Sequence, residues 1–211
     1  MKDYKTYIFD LDYTLLIPDW SSEDEYLKNY IAIEEQEEFF KQKQEILDKF
    51  EALYPRYDLK ELSLFFKSHG FNVSDKIIRM WLIHNGDAII DEVVDGVVDL
   101  FEYLKANNKE IVVLTNWFGG TQIPRLKRAG LYDYIDRVVT GDQAMKPGIK
   151  SFELAIGDTN KEDCVMIGDS ISSDKKGADN VGIDSYILGK DLTMRDLYNN
   201  IKNSKEKIKQ L

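Results

Sequence analysis

Five short runs, Tyr4 to Leu11, Glu110 to Thr115, Ile135 to Thr140, Cys164 to Gly168 and Ser185 to Leu188, are near-continuously apolar and rich in Val and Ile, without the polar alternation of a half-exposed strand. A strand apolar on both sides has to be covered on both sides, the situation of parallel strands in an α/β protein. Helix-like segments separate the later runs, at Glu92 to Ala106, Gln122 to Ala129, Ile149 to Ile156 and Ser173 to Asn180. This alternation implies right-handed crossovers and an α/β fold, a Rossmann-like open parallel sheet with helices on both faces. In such a sheet, ligands sit at the carboxyl ends of the strands, so chemistry is expected there.

From about Ser21 to about Gly86 no strand-like run occurs, and apolar residues recur at helical spacing. Ile31, Phe39, Phe40, Ile46, Leu47, Phe50 and Leu53 fit one or two helices, Leu59 to Lys67 another, and Ser74 to Ile83 a third, N-capped by Ser74. Pro55, Gly70 and the Asn85-Gly86 pair give the expected breaks. The division that follows is a Rossmann-like catalytic core over residues 1–18 and 87–211, and a helical cap domain over residues 19–86 standing over the sheet's carboxyl edge as a lid.

Composition narrows the function. With 38 acidic against 28 basic residues the formal net charge is −10, which disfavours broad electrostatic attraction to nucleic acid or to an anionic membrane. Cys164 is the only cysteine, so neither an intrachain disulfide nor a zinc cluster is available. The charged start, Met1 to Thr6, and an apolar run cut short by Asp10 and Asp12 read neither as a signal peptide nor as a membrane span, so a cytoplasmic protein is expected. The lysine-rich end from Lys202 to Lys209 reads as a solvated helix end. No oligomeric contact is legible.

The strand ends carry the chemistry. Asp10-Leu11-Asp12-Tyr13-Thr14 puts two carboxylates directly after the first strand, where they call for a cation or for donors. Thr115-Asn116 offers a hydroxyl and an amide after the second, suited to phosphate oxygens. Lys146-Pro147 opens a helix, with an ammonium that neutralises an anion and a proline that fits the first turn. Gly168-Asp169-Ser170, with Asp174 shortly after, presents acids beside a glycine that lets the backbone turn. Asp10, Asp12, Asp169 and Asp174 are thereby expected at one sheet edge with Lys146 and Thr115. Such hard oxygen ligands suit Mg²⁺. The charges of Asp10, Asp169 and Asp174 are balanced by Mg²⁺ plus Lys146, so an anionic nucleophile can approach a phosphate dianion.

These four motifs, in this order and on these strand ends, resemble those of the haloacid dehalogenase superfamily of phosphohydrolases over about Tyr7 to Leu188, with a helical cap inserted after the first motif. The resemblance implies a Mg²⁺-dependent phosphatase acting on a small phosphorylated substrate, a phosphomonoester of the nucleotide or sugar phosphate class. Asp10 would be the nucleophile that forms an aspartyl-phosphate, and Asp12 the general acid and then the base. Thr115, Asn116 and Lys146 would bind the substrate's phosphoryl group. The metal would be held by Asp10, Asp169 and the Asp12 carbonyl, with Asp174 supporting it directly or through water. A carboxylate can attack phosphorus, and a second one with a pKa raised by acidic neighbours can shuttle the proton.

Three other activities bear comparison. A dehalogenase would need neither Asp12 nor a metal. A phosphomutase of the β-phosphoglucomutase type shares every motif. A phospho-acceptor switch of the response-regulator type also groups acids, Thr and Lys around Mg²⁺, but without the long helical insert. Tyr13 stands where the family often has a small residue or Asn, and is expected to shape the pocket. Trp117 and Phe118 are candidates to line it, and Trp20, Trp81, Phe65 and Phe66 to contact the leaving group. His69 and His84 read as surface or core filler, and Cys164 as an inert small hydrophobe.

Overall fold

The computed structural model describes residues 2–208. The chain runs β1 (Thr6–Phe9), β2 (Leu16–Asp19), α1 (Ile33–Leu53), α2 (Leu59–Ser68), α3 (Asp75–Ala88), β3 (Ile90–Val93), α4 (Val97–Ala106), β4 (Glu110–Leu114), α5 (Gly119–Arg128), β5 (Arg137–Val139), α6 (Ile149–Ile156), β6 (Cys164–Gly168), α7 (Lys176–Val181), β7 (Asp184–Ile187) and α8 (Met194–Ile208). Five strands form one parallel sheet in the order β5-β4-β1-β6-β7. The α/β expectation holds.

Successive strand residues face opposite sides. Tyr7, Phe9, Ile111, Val113, Val165 and Ile167 join α4 and α8 in one cluster, while Ile8, Val112, Leu114 and Met166 join α6 and α7 in another. Both layers are buried, which is why the strands read as unbroken apolar runs. The central strand β1 is flanked by β4 on one side and β6 on the other, and the chain's winding reverses between β1 and β6. That reversal opens a crevice at their carboxyl ends.

The expected helical insert is present as α1, α2 and α3, with its own apolar cluster around Phe39, Phe50, Phe66 and Trp81. Ser74 caps α3 by accepting from the Ile77 amide at 3.4 Å. One ribbon escaped the sequence reading: β2 leaves for the insert and β3 returns from it, paired antiparallel with Leu16 opposite Val93 and Asp19 opposite Ile90. β2 alternates buried and exposed residues and β3 exposed and half-buried ones, and Pro18 sits within β2. Two expectations are corrected by this. The helix expected from Glu92 begins only at Val97, because Glu92 and Val93 pair with β2 and Gly96 turns the chain at φ 93°. The break expected at Asn85-Gly86 is absent, and α3 continues to Ala88. Gly86 serves a close helix contact instead, since a Cβ there would lie 2.6 Å from the Gly120 carbonyl oxygen at the start of α5.

The segment expected as a helix from Ser173 is a π-helical turn, Ile171–Lys175, running into α7. Pro147 stands before its helix, not in the first turn: α6 starts at Ile149 behind Gly148, and the Lys146-Pro147 peptide is cis. Of the lysine-rich end, α8 extends to Ile208 and Lys209 lies outside the described residues. Among the described residues no helix is long and apolar enough to cross a membrane.

Candidate active site

Strand order alone brings the motifs together. Asp10, next after β1, donates its amide to the Ile167 carbonyl of β6 at 2.9 Å, so the end of β1 is fixed beside Gly168-Asp169. Thr115 follows β4 on the other flank and donates its amide to the Val139 carbonyl of β5 at 3.0 Å. Lys146 arrives from the loop between β5 and α6. Its buried ammonium bonds Asp10 Oδ1 and, at 2.7 Å, Asp174 Oδ1. The π-helical turn directs Asp174 back toward β6, where its Oδ2 accepts from the Ser170 amide at 3.0 Å. Only glycine fits at 168, because a Cβ there would stand 2.1 Å from that same Oδ2.

Carboxylate oxygens of Asp10, Asp169 and Asp174 lie within 4.8 Å of one another. Burial raises the Asp10 carboxyl above its ordinary range, with Asp174 and Asp12 adding to the rise and Lys146 opposing it. Asp169 is raised by partial burial and by Asp174. Burial works against the Lys146 ammonium, but Asp10 and Asp174 outweigh it and hold the group above its ordinary value. Three carboxylates against one ammonium leave a surplus of negative charge in a largely dry site, and an oxygen-seeking divalent cation is the species that this donor set fits.

Asp12 is placed differently from the other acids. Its Oδ1 accepts from Arg125 Nη2 at 2.7 Å and its Oδ2 from Gln122 Nε2 at 2.9 Å. Gln122 Nε2 also donates to Thr115 Oγ1 at 2.8 Å, and Gln122 Oε1 accepts from Arg125 Nη1 at 2.6 Å. Arg125, fully buried, further holds Asp91 of β3 through Nε and Nη2 at 2.6 to 3.2 Å. The expectation that acidic neighbours dominate around Asp12 is therefore corrected: a guanidinium and an amide grip its carboxylate, and its side chain is outside the acidic trio. Sequence reasoning missed Gln122, Arg125 and Asp91. The only signal was the i, i+3 spacing of Gln122 and Arg125 on amphipathic α5, a helix that also carries Lys127 and Arg128; Asp91, on β3, gave none.

Asn116 lies at the site but uses its side chain on the protein itself. Its Oδ1 accepts from the Lys146 amide at 2.6 Å and its Nδ2 donates to the Lys146 carbonyl at 3.1 Å, so it clamps the loop that carries Lys146. Thr115 Oγ1 accepts from Gln122, which leaves its O–H to donate.

These groups open into a cleft of about 510 Å³ between sheet edge and insert. Tyr13, Trp20 and Trp117 line it, as do Glu23, Gln44 and Glu51 from the insert, which sequence reasoning did not single out. Tyr13 adopts φ 60°, and its hydroxyl accepts from Trp20 Nε1 at 3.1 Å. Other aromatic candidates belong elsewhere. Trp81 and Phe66 are fully buried in the insert's core, Phe65 packs on Phe50 and Tyr54, and Phe118 faces a separate depression around Tyr57 and Arg79. His69 packs on Phe65 and His84 on Tyr26, both away from the cleft. Cys164 is buried, and burial pushes its thiol up to about 11.

Comparison with known proteins places this geometry. The sequence profile of the haloacid dehalogenase-like hydrolases matches residues 4–182. Pyrimidine 5'-nucleotidase PynA of Streptococcus pneumoniae is 27% identical over 201 residues, covering 86% of this chain and 82% of the relative. Ribulose-1,5-bisphosphate 5-phosphatase of Halopiger xanaduensis is 30% identical over 99 residues, 45% of this chain and 41% of the relative. Among solved structures, the putative HAD-hydrolase YfnB of Bacillus subtilis, described as bound to magnesium, shares the fold at a TM-score of 0.62 and 21% identity, covering 95% of this chain and 99% of that one. The chain therefore belongs to the family of haloacid dehalogenase-like hydrolases.

Proposed function

We propose that the protein is a Mg²⁺-dependent phosphatase that hydrolyses a small phosphomonoester of the nucleotide or sugar phosphate class through an aspartyl-phosphate on Asp10. One observation carries this reading: the Lys146 ammonium is held between Asp10 and Asp174, with Asp169 in the same 4.8 Å cluster. A nucleophilic carboxylate, an anion-neutralising cation and a metal-ligating set thus occupy one crevice. The named phosphatases and nucleotidases among its relatives support the same class.

Asp10, Asp169 and Asp174 would hold Mg²⁺, with the Asp12 carbonyl as a further oxygen; Asp174, engaged with Lys146 and Ser170, would mainly brace the other two. When bound, the ion supplies Lewis-acid neutralisation of phosphoryl oxygens. Asp10 attacks phosphorus, the ester bond to the leaving oxygen breaks, and Asp12 protonates that oxygen. Asp12 then takes a proton from the water that attacks the aspartyl-phosphate, releasing phosphate and restoring Asp10. Lys146 and the Thr115 hydroxyl steady the phosphoryl oxygens, while Asn116 holds the Lys146 backbone in register. The helical insert covers the cleft as a cap over residues 19–86, on a core of residues 1–18 and 87–211. A reducing, cytoplasmic setting suits a chain with a single, buried thiol.

Phosphate release from nucleotides, sugar phosphates and p-nitrophenyl phosphate tests the proposal. Release should require Mg²⁺ and should fall on the order of 10³-fold or more in Asp10→Asn. Full activity in that variant would overturn the covalent mechanism, and conversion of a sugar phosphate to its isomer without release would favour a mutase.

A further inference from the structure

The cleft is lined by five carboxylates, those of Asp10, Asp12, Asp169, Glu23 and Glu51, and by the single ammonium of Lys146. Lys146 is committed to Asp10 and Asp174 on the reacting side. On the insert side, Glu23 is paired with Lys43 at 2.9 Å. Glu51 is not. Its partners are the Tyr57 hydroxyl, which donates to Oε1, and Asn116 Nδ2 at 3.4 Å from Oε2, and none of the ion pairs among the described residues includes it. It is half-buried, and burial, helped by Asp48, raises its carboxyl above the ordinary range against those two hydrogen bonds and the weaker pull of the Lys146 charge. Gln44 stands seven residues earlier on α1, two helical turns away, and lines the cleft on the same face.

A half-buried carboxylate that makes no ion pair is incompletely neutralised, and where it faces a ligand cleft it shapes what can bind. A second phosphate or a carboxylate on the leaving group would meet Glu51 and find no uncommitted lysine or arginine lining the cleft. A hydroxyl or an amide N–H would find an acceptor, beside the rings of Trp20 and Trp117. We propose that Glu51 is a specificity-determining residue on the leaving-group side: it accepts hydrogen bonds from an uncharged, donor-bearing leaving group and turns away phosphomonoesters that carry a second anionic group. Nucleoside monophosphates and neutral polyol phosphates fit, while bisphosphates and phospho-acids do not. The inference rests on the phosphatase reading and deepens it.

Glycerol 3-phosphate and 3-phosphoglycerate test it, since they share a three-carbon skeleton and differ by a hydroxymethyl against a carboxylate. The wild-type ratio of kcat/KM should favour glycerol 3-phosphate roughly tenfold or more, and Glu51→Gln should bring it close to unity. The same ratio is read from Kd by titration calorimetry in Asp10→Asn with and without Glu51→Gln, so loss of turnover does not hide the answer. Absence of phosphate release from any ester would overturn the phosphatase reading, and a charge-dependent Kd ratio would still support the role of Glu51. If Glu51 only latched the insert to Asn116, Glu51→Gln would weaken both ligands alike and lower the melting temperature, and that result overturns the proposal. Selectivity predicts instead a changed ratio and an unchanged or higher melting temperature, because a carboxyl raised by burial destabilises the folded chain at neutral pH.

Discussion

Arg125 offers the sharpest physical test of how the site is built. It is fully buried and makes charge-assisted hydrogen bonds to Asp12 on one side and Asp91 on the other, with the Asp91 side chain only 6% exposed. Replacing it with methionine keeps much of the volume but removes the guanidinium that bridges the two carboxylates, leaving Asp91 only the Arg128 guanidinium at 4.0 Å. Breaking a buried pair from one side costs about 3–5 kcal/mol, since the orphaned charge remains. For a chain of this size each kcal/mol shifts Tm by roughly 2–4 °C, so Arg125→Met should melt about 6–20 °C lower. Arg125→Lys should recover only part of the loss, because one ammonium cannot reproduce a fork that reaches both acids.

Thermal unfolding followed by circular dichroism reads the effect, and a second substitution identifies its source. Adding Asp91→Asn to Arg125→Met removes one orphaned charge and should restore part of the stability, a coupling that independent sites would not give. Burial works against the Arg125 charge, but Asp91 and Asp12 outweigh it and its pKa is raised. A cation raised in the folded state contributes fully below its unfolded value and loses that contribution only as pH rises through the folded one. Because the guanidinium stays protonated in both folded and unfolded chains throughout that range, its contribution to the difference between wild type and Arg125→Met should stay flat from about pH 6 to pH 9. A melting temperature for Arg125→Met within about 2 °C of wild type would refute the reasoning.

Two other outcomes follow from the geometry. Gly168→Ala should displace Asp174, and with it the Lys146 ammonium, lowering kcat/KM on the order of 10²-fold with secondary structure intact; unchanged kinetics would show that the turn after β6 yields freely. Cys164, its thiol pushed up to about 11 by burial, should stay protonated at pH 8 and resist maleimide until the chain unfolds, whereas rapid labelling of the native protein by mass spectrometry would contradict its burial.

The sheet was legible because burial on both faces writes itself as continuous apolar sequence, as in Tyr7-Ile8-Phe9 and Val165-Met166-Ile167. The β2–β3 ribbon was not, since each strand has an exposed side and its partner lies beyond the whole insert. Acids at strand ends were legible for a related reason: Asp10 and Asp169 interrupt apolar runs where charge would otherwise be costly. Arg125 had no such contrast. Among Arg125, Lys127 and Arg128 on one short helix, only the fold decides which one turns inward. Gly86 was misread because its reason is tertiary, a neighbour's carbonyl, while composition offers only its reputation as a helix breaker.

The residues that sequence missed also join the two halves of the molecule. Helix α5 carries Gln122 and Arg125, which orient the proposed acid and base Asp12, and it is also the surface on which the insert is seated. Gly86 of α3 touches Gly120, Thr121 Oγ1 donates to the Leu82 carbonyl, and Arg128 donates to the carbonyls of Gly86 and Ile89. Asp91, the second carboxylate on Arg125, belongs to the strand by which the chain leaves the insert. A displacement of α3 or β3 is therefore felt at Asp12 through one shared helix and one shared guanidinium. Packed interiors pass such shifts on rather than absorb them, so seating of the insert and alignment of Asp12 are mechanically one event.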